Sequence, residues 1–324
     1  MWPALGLVAG VLTLVAGGYL VVEGASSLAH RLGVSDLVVG LTVVAFGTSA
    51  PELAVNLSAV FGGQAAVAFG NVVGSNIANI GLILGLTAMF RALDIQSQLL
   101  TRELPLMLLA TAAAIAVALD PVLTGRSAEL DRGDGLLLLL FFTVFLYGAV
   151  LAVYRKRDAD ALLLSSAAAA PGVSRLTPLW SSVMLMAGLG TLAAGGYLAV
   201  EGATRLAVQA GVSTAVIGAT AVAVGTSLPE LVTSLVAAFK GEADIAVGNI
   251  VGSNIFNLLF ILGVTATARP IEVPPTGYRD LLALAVLSVL LLPFALTNRR
   301  VVVRREGLIL LLLWIAYVGW SFGI

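Results

Sequence analysis

Two carboxylates stand where a chain this apolar should carry none. Glu52 closes the stretch Gly40-Leu-Thr-Val-Val-Ala-Phe-Gly-Thr-Ser-Ala-Pro-Glu52, and Glu230 closes Gly218-Ala-Thr-Ala-Val-Ala-Val-Gly-Thr-Ser-Leu-Pro-Glu230. Each sits within an apolar run long enough to cross a bilayer, where an acid costs roughly 2.5–3.5 kcal/mol on insertion scales and so marks function. The proline just before it removes a helical donor and strands carbonyls about a turn upstream. Such backbone persists at membrane depth only where it is buried or lines a wet cavity. These features together describe an oxygen-rich cation site near the membrane midplane, built twice.

On a helix, Ala45, Thr48, Ser49 and Glu52 fall at i, i+3, i+4 and i+7, which is one face, and Ala223, Thr226, Ser227 and Glu230 repeat it. The spans that follow carry Gly70-Asn-Val-Val-Gly-Ser-Asn-Ile-Ala-Asn79 and Gly248-Asn-Ile-Val-Gly-Ser-Asn-Ile-Phe-Asn257, placing Ser75 with Asn79 and Ser253 with Asn257 on shared faces. The Gly-xxx-Gly inside each lets neighbouring backbones come close. The inventory is two carboxylates, two carboxamides, hydroxyls and freed carbonyls, all hard oxygen donors. Calcium takes 6–8 such oxygens in flexible geometry, whereas magnesium gives up its waters reluctantly. With no His, Cys or Met in the set, zinc, copper and iron are disfavoured. One divalent ion, or two or more monovalent ions, neutralises both acids, which makes competition between calcium and sodium natural.

The elements that must position these residues follow from composition. Of 324 residues, 59% are hydrophobic and 11% charged, with a mean hydropathy of +1.05, which indicates an all-α polytopic membrane protein. The apolar runs are continuous rather than alternating, which excludes an outer-membrane barrel. A net charge of −1 gives no reason to expect a nucleic-acid partner, and the absence of Cys excludes disulfides and thiolate metal sites. The first apolar run lacks a basic leader and reads as a retained span. Breaks at polar, Gly and Pro positions delimit about ten transmembrane helices, at 4–28, 36–60, 65–89, 104–119, 135–154, 179–206, 214–239, 243–267, 280–297 and 307–323.

Residues 9–85 align without a gap on residues 187–263 at an offset of 178, with 46 identities in 77 positions. The copies lie five spans apart, an odd number, so they are expected to enter the membrane in opposite senses. That is the inverted-topology plan of two five-helix repeats, with the site at their interface. The expected units are residues 1–154, a flexible cytoplasmic linker at 155–177, and residues 178–324. Orientation follows from the cations. Arg31, Arg91, Arg102, Arg155, Lys156, Arg157, Arg175, Lys240, Arg299, Arg300, Arg304 and Arg305 fall on one side, and Arg126, Arg132, Arg205, Arg269 and Arg279 on the other. The larger set is placed in the cytoplasm, which leaves both termini extracytoplasmic, in a plasma (inner) membrane.

The twin Gly-Thr-Ser-x-Pro-Glu and Gly-Ser-Asn-Ile-x-Asn motifs resemble the α-repeats of the calcium/cation antiporter superfamily, in the style of the compact prokaryotic sodium/calcium exchangers. The resemblance implies a calcium site formed by Glu52, Asn79, Glu230 and Asn257. It also implies flanking sodium sites at Thr48, Ser49, Ser75, Thr226, Ser227 and Ser253, with the carbonyls of Ala45 and Ala223. The implied activity is exchange of three sodium ions for one calcium by alternating access, with Ca2+ and Na+ as transported ions, no cofactor and no soluble partner. Some relatives, the potassium-dependent exchangers among them, carry Asp where this chain has Asn257, and that difference weakens the case for potassium co-transport. The large calcium-sensing loop of animal exchangers is absent. In this scheme the Gly-rich first and sixth spans slide past a rigid core. One net charge moves per cycle, worth about 2.3 kcal/mol per 100 mV.

The alternative is a calcium/proton antiporter using the same two glutamates. An intramembrane phosphatase would need Arg or Lys beside the acid, and residues 32–85 and 206–239 contain neither. A channel fits tightly paired acids poorly. Hydroxyls in membrane helices often bond back to their own helix, and Asn71, Asn76, Asn249 and Asn254 suit helix contacts as well as ions. Glu23 and Glu201, which are repeat mates, suit interfacial or interhelical roles, and His30 suits the headgroup level.

Overall fold

The computed structural model describes residues 2–125, 127–164, 177–211, 225–297 and 300–322. Helices follow the apolar runs. In the first half these are α1 (Trp2–Leu32), α2 (Asp36–Thr48), α3 (Ala50–Phe61), α4 (Ala65–Phe90), α5 (Leu104–Thr124) and α6 (Arg132–Leu164). In the second half they are α7 (Pro178–Gln209), α8 (Leu228–Lys240), α9 (Ala243–Ala268), α10 (Gly277–Leu296) and α11 (Arg304–Phe322). The chain is thus a helical membrane protein. The spans that read shortest, 104–119 and 280–297, are full helices of 21 and 20 residues. Residues 155–164 of the expected linker continue α6, while 165–176 lie outside the described residues. So do 212–224, the first part of the expected seventh span.

The Pro-Glu motifs break their spans in the same way. Ser49 (φ −85°, ψ 2°) and Ser227 (φ −86°, ψ 3°) leave helical geometry, and a proline enters the first turn of α3 and of α8. Proline is tolerated there because the first-turn N–H has no intrahelical acceptor. Between α2 and α3 the axis bends by about 40°. Among the described residues, four stretches widen to π-helical turns, namely Gly40–Val44, Asn79–Leu84, Leu99–Glu103 and Phe256–Ile261. π turns are rare and concentrate at functional sites. Two of them hold the motif carboxamides Asn79 and Asn257.

Glycines set how the halves meet. Gly10 of α1 packs on Ala199 of α7, Gly17 on Leu192 and Gly24 on Leu185. Gly188, Gly195 and Gly202 return the contact on Val21, Leu14 and Leu7. Numbers rise along one helix as they fall along the other, so α1 and α7 run antiparallel. The six glycines are three repeat pairs at the offset of 178. At Gly17 a Cβ would stand 2.8 Å from the backbone nitrogen of Leu192, so no other residue permits this approach. α4 and α9 are the most buried spans, and α1, α6, α7 and α10 turn wide apolar faces outward. Those faces, with Leu12, Leu140, Trp180 and Leu282 exposed, suit lipid.

Four two-residue strands tie the loops together. β1 (Leu93–Asp94) pairs antiparallel with β4 (Val301–Val302), and β2 (Glu129–Leu130) with β3 (Ile271–Glu272). α5 separates β1 from β2, which puts the two ribbons at opposite ends of that helix. β1 and β3 are themselves related by the offset of 178, so each half contributes one mate to each end.

Candidate ion-binding site

The motif residues converge where the broken spans meet the π turns of the opposite half, α3 on the π turn of α9 and α8 on that of α4. Thr48, Ser49, Glu52, Ser75 and Asn79 are buried, as are Ser227, Glu230, Ser253 and Asn257, while Thr226 is half-buried. Ala45 is buried in α2, and Ala223 lies outside the described residues.

Contacts across the repeat interface are reciprocal. The Ser49 hydroxyl donates to Oε1 of Glu230 at 3.0 Å, and the Thr48 hydroxyl approaches Oδ1 of Asn249 at 3.1 Å. From the other half, the Thr226 hydroxyl donates to Oδ1 of Asn71 at 3.4 Å. The carbonyl of Ala45 is not stranded. It accepts the Ser49 N–H at 3.0 Å, with the Thr48 hydroxyl 3.3 Å away. The carbonyl that Pro51 deprives of a helical donor is that of Gly47, four residues upstream.

What distinguishes the cluster is what its polar atoms lack. Both carboxylate oxygens of Glu52, Oε2 of Glu230, both side-chain polar atoms of Asn79 and of Asn257, and the hydroxyls of Ser75, Ser227 and Ser253 are buried without a hydrogen-bond partner. More than nine in ten buried polar groups find one, and each orphan costs about 1–3 kcal/mol. Ten such atoms on seven motif residues cannot be incidental strain. Among the described ion pairs none includes Glu52 or Glu230. Two buried acids without a basic partner call for a bound cation or a proton, and the surrounding oxygens match the hard-donor set that calcium or sodium takes. No group of three His, Cys, Asp or Glu side chains converges among the described residues, so the donor set is two acids extended by amides and hydroxyls.

The comparisons agree with this chemistry. The family model described as "Sodium/calcium exchanger protein" matches residues 2–151 and 180–323. The chain belongs to the sodium/calcium exchanger family. It is 37% identical over 256 residues to the inner membrane protein YrbG of Escherichia coli (strain K12), covering 76% of this chain and 75% of that one. It is 32% identical over 337 residues to the sodium/calcium exchanger MaX1 of Methanosarcina acetivorans, covering 96% of each. Its fold matches the sodium-calcium exchanger NCX_Mj soaked with 2.5 mM Na+ and 1 mM Sr2+, with a TM-score of 0.83 and 29% identity over 98% of each chain. The family is one of cation exchangers.

Two residues that belong to this exchanger's polar core escape a reading by motif. Asn56 and Ser234, repeat mates one helical turn beyond Glu52 and Glu230, are fully buried and accept from Asn71 and Asn249 at 3.0 Å each. Their i+4 spacing from the acids is the signal that marks them. Asn76 and Asn254 instead donate back to Val72 and Ile250 of their own helices at 2.7 Å. Of the acids outside the site, Glu23 ion-pairs with Lys240 across to α8, Glu201 pairs with Arg205 on its own helix at 2.6 Å, and His30 lies 3.5 Å from Asp36.

Proposed function

We propose that this exchanger moves sodium against calcium by alternating access, three sodium ions for one calcium, with net transfer of one charge per cycle. Calcium would be held by Glu52, Asn79, Glu230 and Asn257. Sodium would be held at Thr48, Ser49, Ser75, Thr226, Ser227 and Ser253, with the carbonyls of Ala45 and Ala223. The observation that carries this reading is the cluster of unpaired buried oxygens around two acids that have no basic partner. Ions of different charge compete for that pair because neither acid is neutralised from within the protein. The names of MaX1 and NCX_Mj, both sodium/calcium exchangers, point the same way.

The halves 1–154 and 178–324 insert in opposite senses, a reading supported by the antiparallel run of α1 and α7 and by repeat mates at opposite ends of α5. The distribution of Lys and Arg supports an orientation with both termini outside a plasma (inner) membrane and 155–177 in the cytoplasm. YrbG, named an inner membrane protein, supports that location.

The test is flux in vesicles containing the purified chain. Calcium should accumulate when sodium is loaded inside and diluted outside, and more so when the membrane potential favours the charge that sodium carries. Uptake that ignores sodium but follows a pH gradient would replace this reading with calcium/proton exchange on the same glutamates.

A further inference from the structure

We propose that Asn249 and Asn71 are positioning residues, which aim the hydroxyl protons of Thr48 and Thr226 away from the ion and so turn the hydroxyl lone pairs toward sodium. This rests on the sodium/calcium reading above and adds to it the groups that set sodium selectivity.

A threonine hydroxyl has one proton and two acceptor lone pairs. Two acceptors for that proton stand within hydrogen-bond distance of Thr48, the carbonyl of Ala45 at 3.3 Å and Oδ1 of Asn249 at 3.1 Å, and the Glu230 carboxylate is also close to it. Donation to Ala45 would occupy the carbonyl's second lone pair, since the first already takes the Ser49 N–H. Donation to Asn249 leaves that carbonyl lone pair and the hydroxyl's own lone pairs open together. The direction of one proton therefore decides whether the carbonyl of Ala45 joins the hydroxyl oxygen as a second sodium ligand.

Asn249 can act as acceptor only while its amide holds one orientation. Its Nδ2 donates to Ser234 Oγ at 3.0 Å and lies 3.5 Å from the carbonyl oxygen of Glu230, which turns Oδ1 toward Thr48. A reversed amide would offer N–H to Thr48 and drive the hydroxyl proton back onto Ala45. The second half mirrors the device. Asn71 donates to Oδ1 of Asn56 at 3.0 Å and receives the Thr226 hydroxyl at 3.4 Å. Each chain of contacts crosses the repeat interface, from a hydroxyl of one half to an amide of the other. The bond to Asn249 is the shorter and its amide has two acceptors, so Thr48 is the more firmly aimed. Calcium, assigned to the acids and to Asn79 and Asn257, does not depend on either threonine proton.

The experiment uses the full chain, purified and reconstituted, with two readouts. One is the sodium concentration that half-drives calcium flux. The other is the calcium concentration that half-saturates calcium/calcium exchange without sodium. Asn249→Leu should raise the sodium value about tenfold, the equivalent of roughly one hydrogen bond, and the calcium value by less than about twofold. Thr48→Val should do the same, and the double variant should add nothing further. Asn71→Leu should act in the same direction but less. Should Asn249→Leu fail to fold, Ser234→Ala, which only frees the amide to turn, should still raise the sodium value by about threefold. Equal shifts for both ions, additive effects in the double variant, or an unmoved sodium value in Ser234→Ala would overturn the proposal. A wild-type protein indifferent to sodium would overturn the sodium reading itself, and the wild type alone reports that.

Discussion

Ser49 of the first half donates its hydroxyl proton to Glu230 of the second, at 3.0 Å, while Oε2 of the same carboxylate has no partner. The acid is thus held on one oxygen and open on the other, and Glu52 is open on both. Neutral, isosteric substitution separates the charge of these acids from their shape. Glu52→Gln and Glu230→Gln should abolish exchange yet leave the protein folded, because removing a buried, unpaired charge relieves an unfavourable term. In ion-free detergent both variants should melt above the wild type. Adding calcium should raise the wild-type midpoint and leave theirs unmoved, since only a ligand bound to the native state stabilises it.

Lys240 at the end of α8 pairs with Glu23 of α1 and lies 4.0 Å over the ring of Tyr19. The repeat mate of Lys240 is Gly62, and the mate of Glu23 is spent on Arg205 within its own helix. Only one side of the α1/α7 pair is therefore tied to the core by this contact. Glu23 is 41% exposed, and pairs of that kind are worth about 1 kcal/mol or less. Lys240→Met should change turnover by roughly two- to fivefold and leave ion affinities in place. Arg205→Met should change neither. A shift in calcium half-saturation for Lys240→Met would show that the contact reaches the site.

Glycines along the α1/α7 seam divide sharply by what they face. At Gly195 a Cβ would stand 2.7 Å from the backbone nitrogen of Leu14 and 3.0 Å from the carbonyl oxygen of Gly10, and backbone cannot yield as a side chain would. At Gly190 nothing lies within 4 Å. Gly195→Ala and Gly17→Ala should each lower the thermal midpoint and slow exchange. Gly190→Ala should be neutral or stabilise by up to about 1 kcal/mol through helix propensity. Thermal unfolding of the three variants compares them directly.

Asn257 is buried in the π turn of α9 and brings no charge to the site. With two acids and no third carboxylate, calcium flux should be the same in potassium, choline or lithium-free buffers at fixed sodium. Asn257→Asp adds an unpaired buried charge and should melt below the wild type in ion-free detergent, with calcium restoring more stability than it gives the wild type.

Much of this architecture was written in short-range pattern. The offset of 178 gave the twofold plan, and the i, i+3, i+4, i+7 face gathered Thr48, Ser49 and Glu52 where the structure places them. Three features were not readable. The ribbons are pairs of two residues each, and Leu93 finds Val302 only because loops from both halves meet at one end of α5. The π turns at Asn79 and Phe256 arise from packing against the opposite half, and no local propensity announces them. Asn56 and Ser234 share the face of the acids but differ from each other, so a search for identical repeat residues passes them over.

The two ribbons have a mechanical meaning. β1–β4 and β2–β3 clasp connecting loops of one half to those of the other, one clasp at each end of α5, and neither includes a residue of α1 or α7. Six helices, α4, α5, α6, α9, α10 and α11, are thereby joined through their loops into a frame, while the glycine-seamed couple stays outside the fastening. On the alternating-access reading proposed above, a transporter so braced would expose its ions first to one compartment and then to the other by shifting that couple as a single shuttle. The chamber that holds the cargo need not come apart.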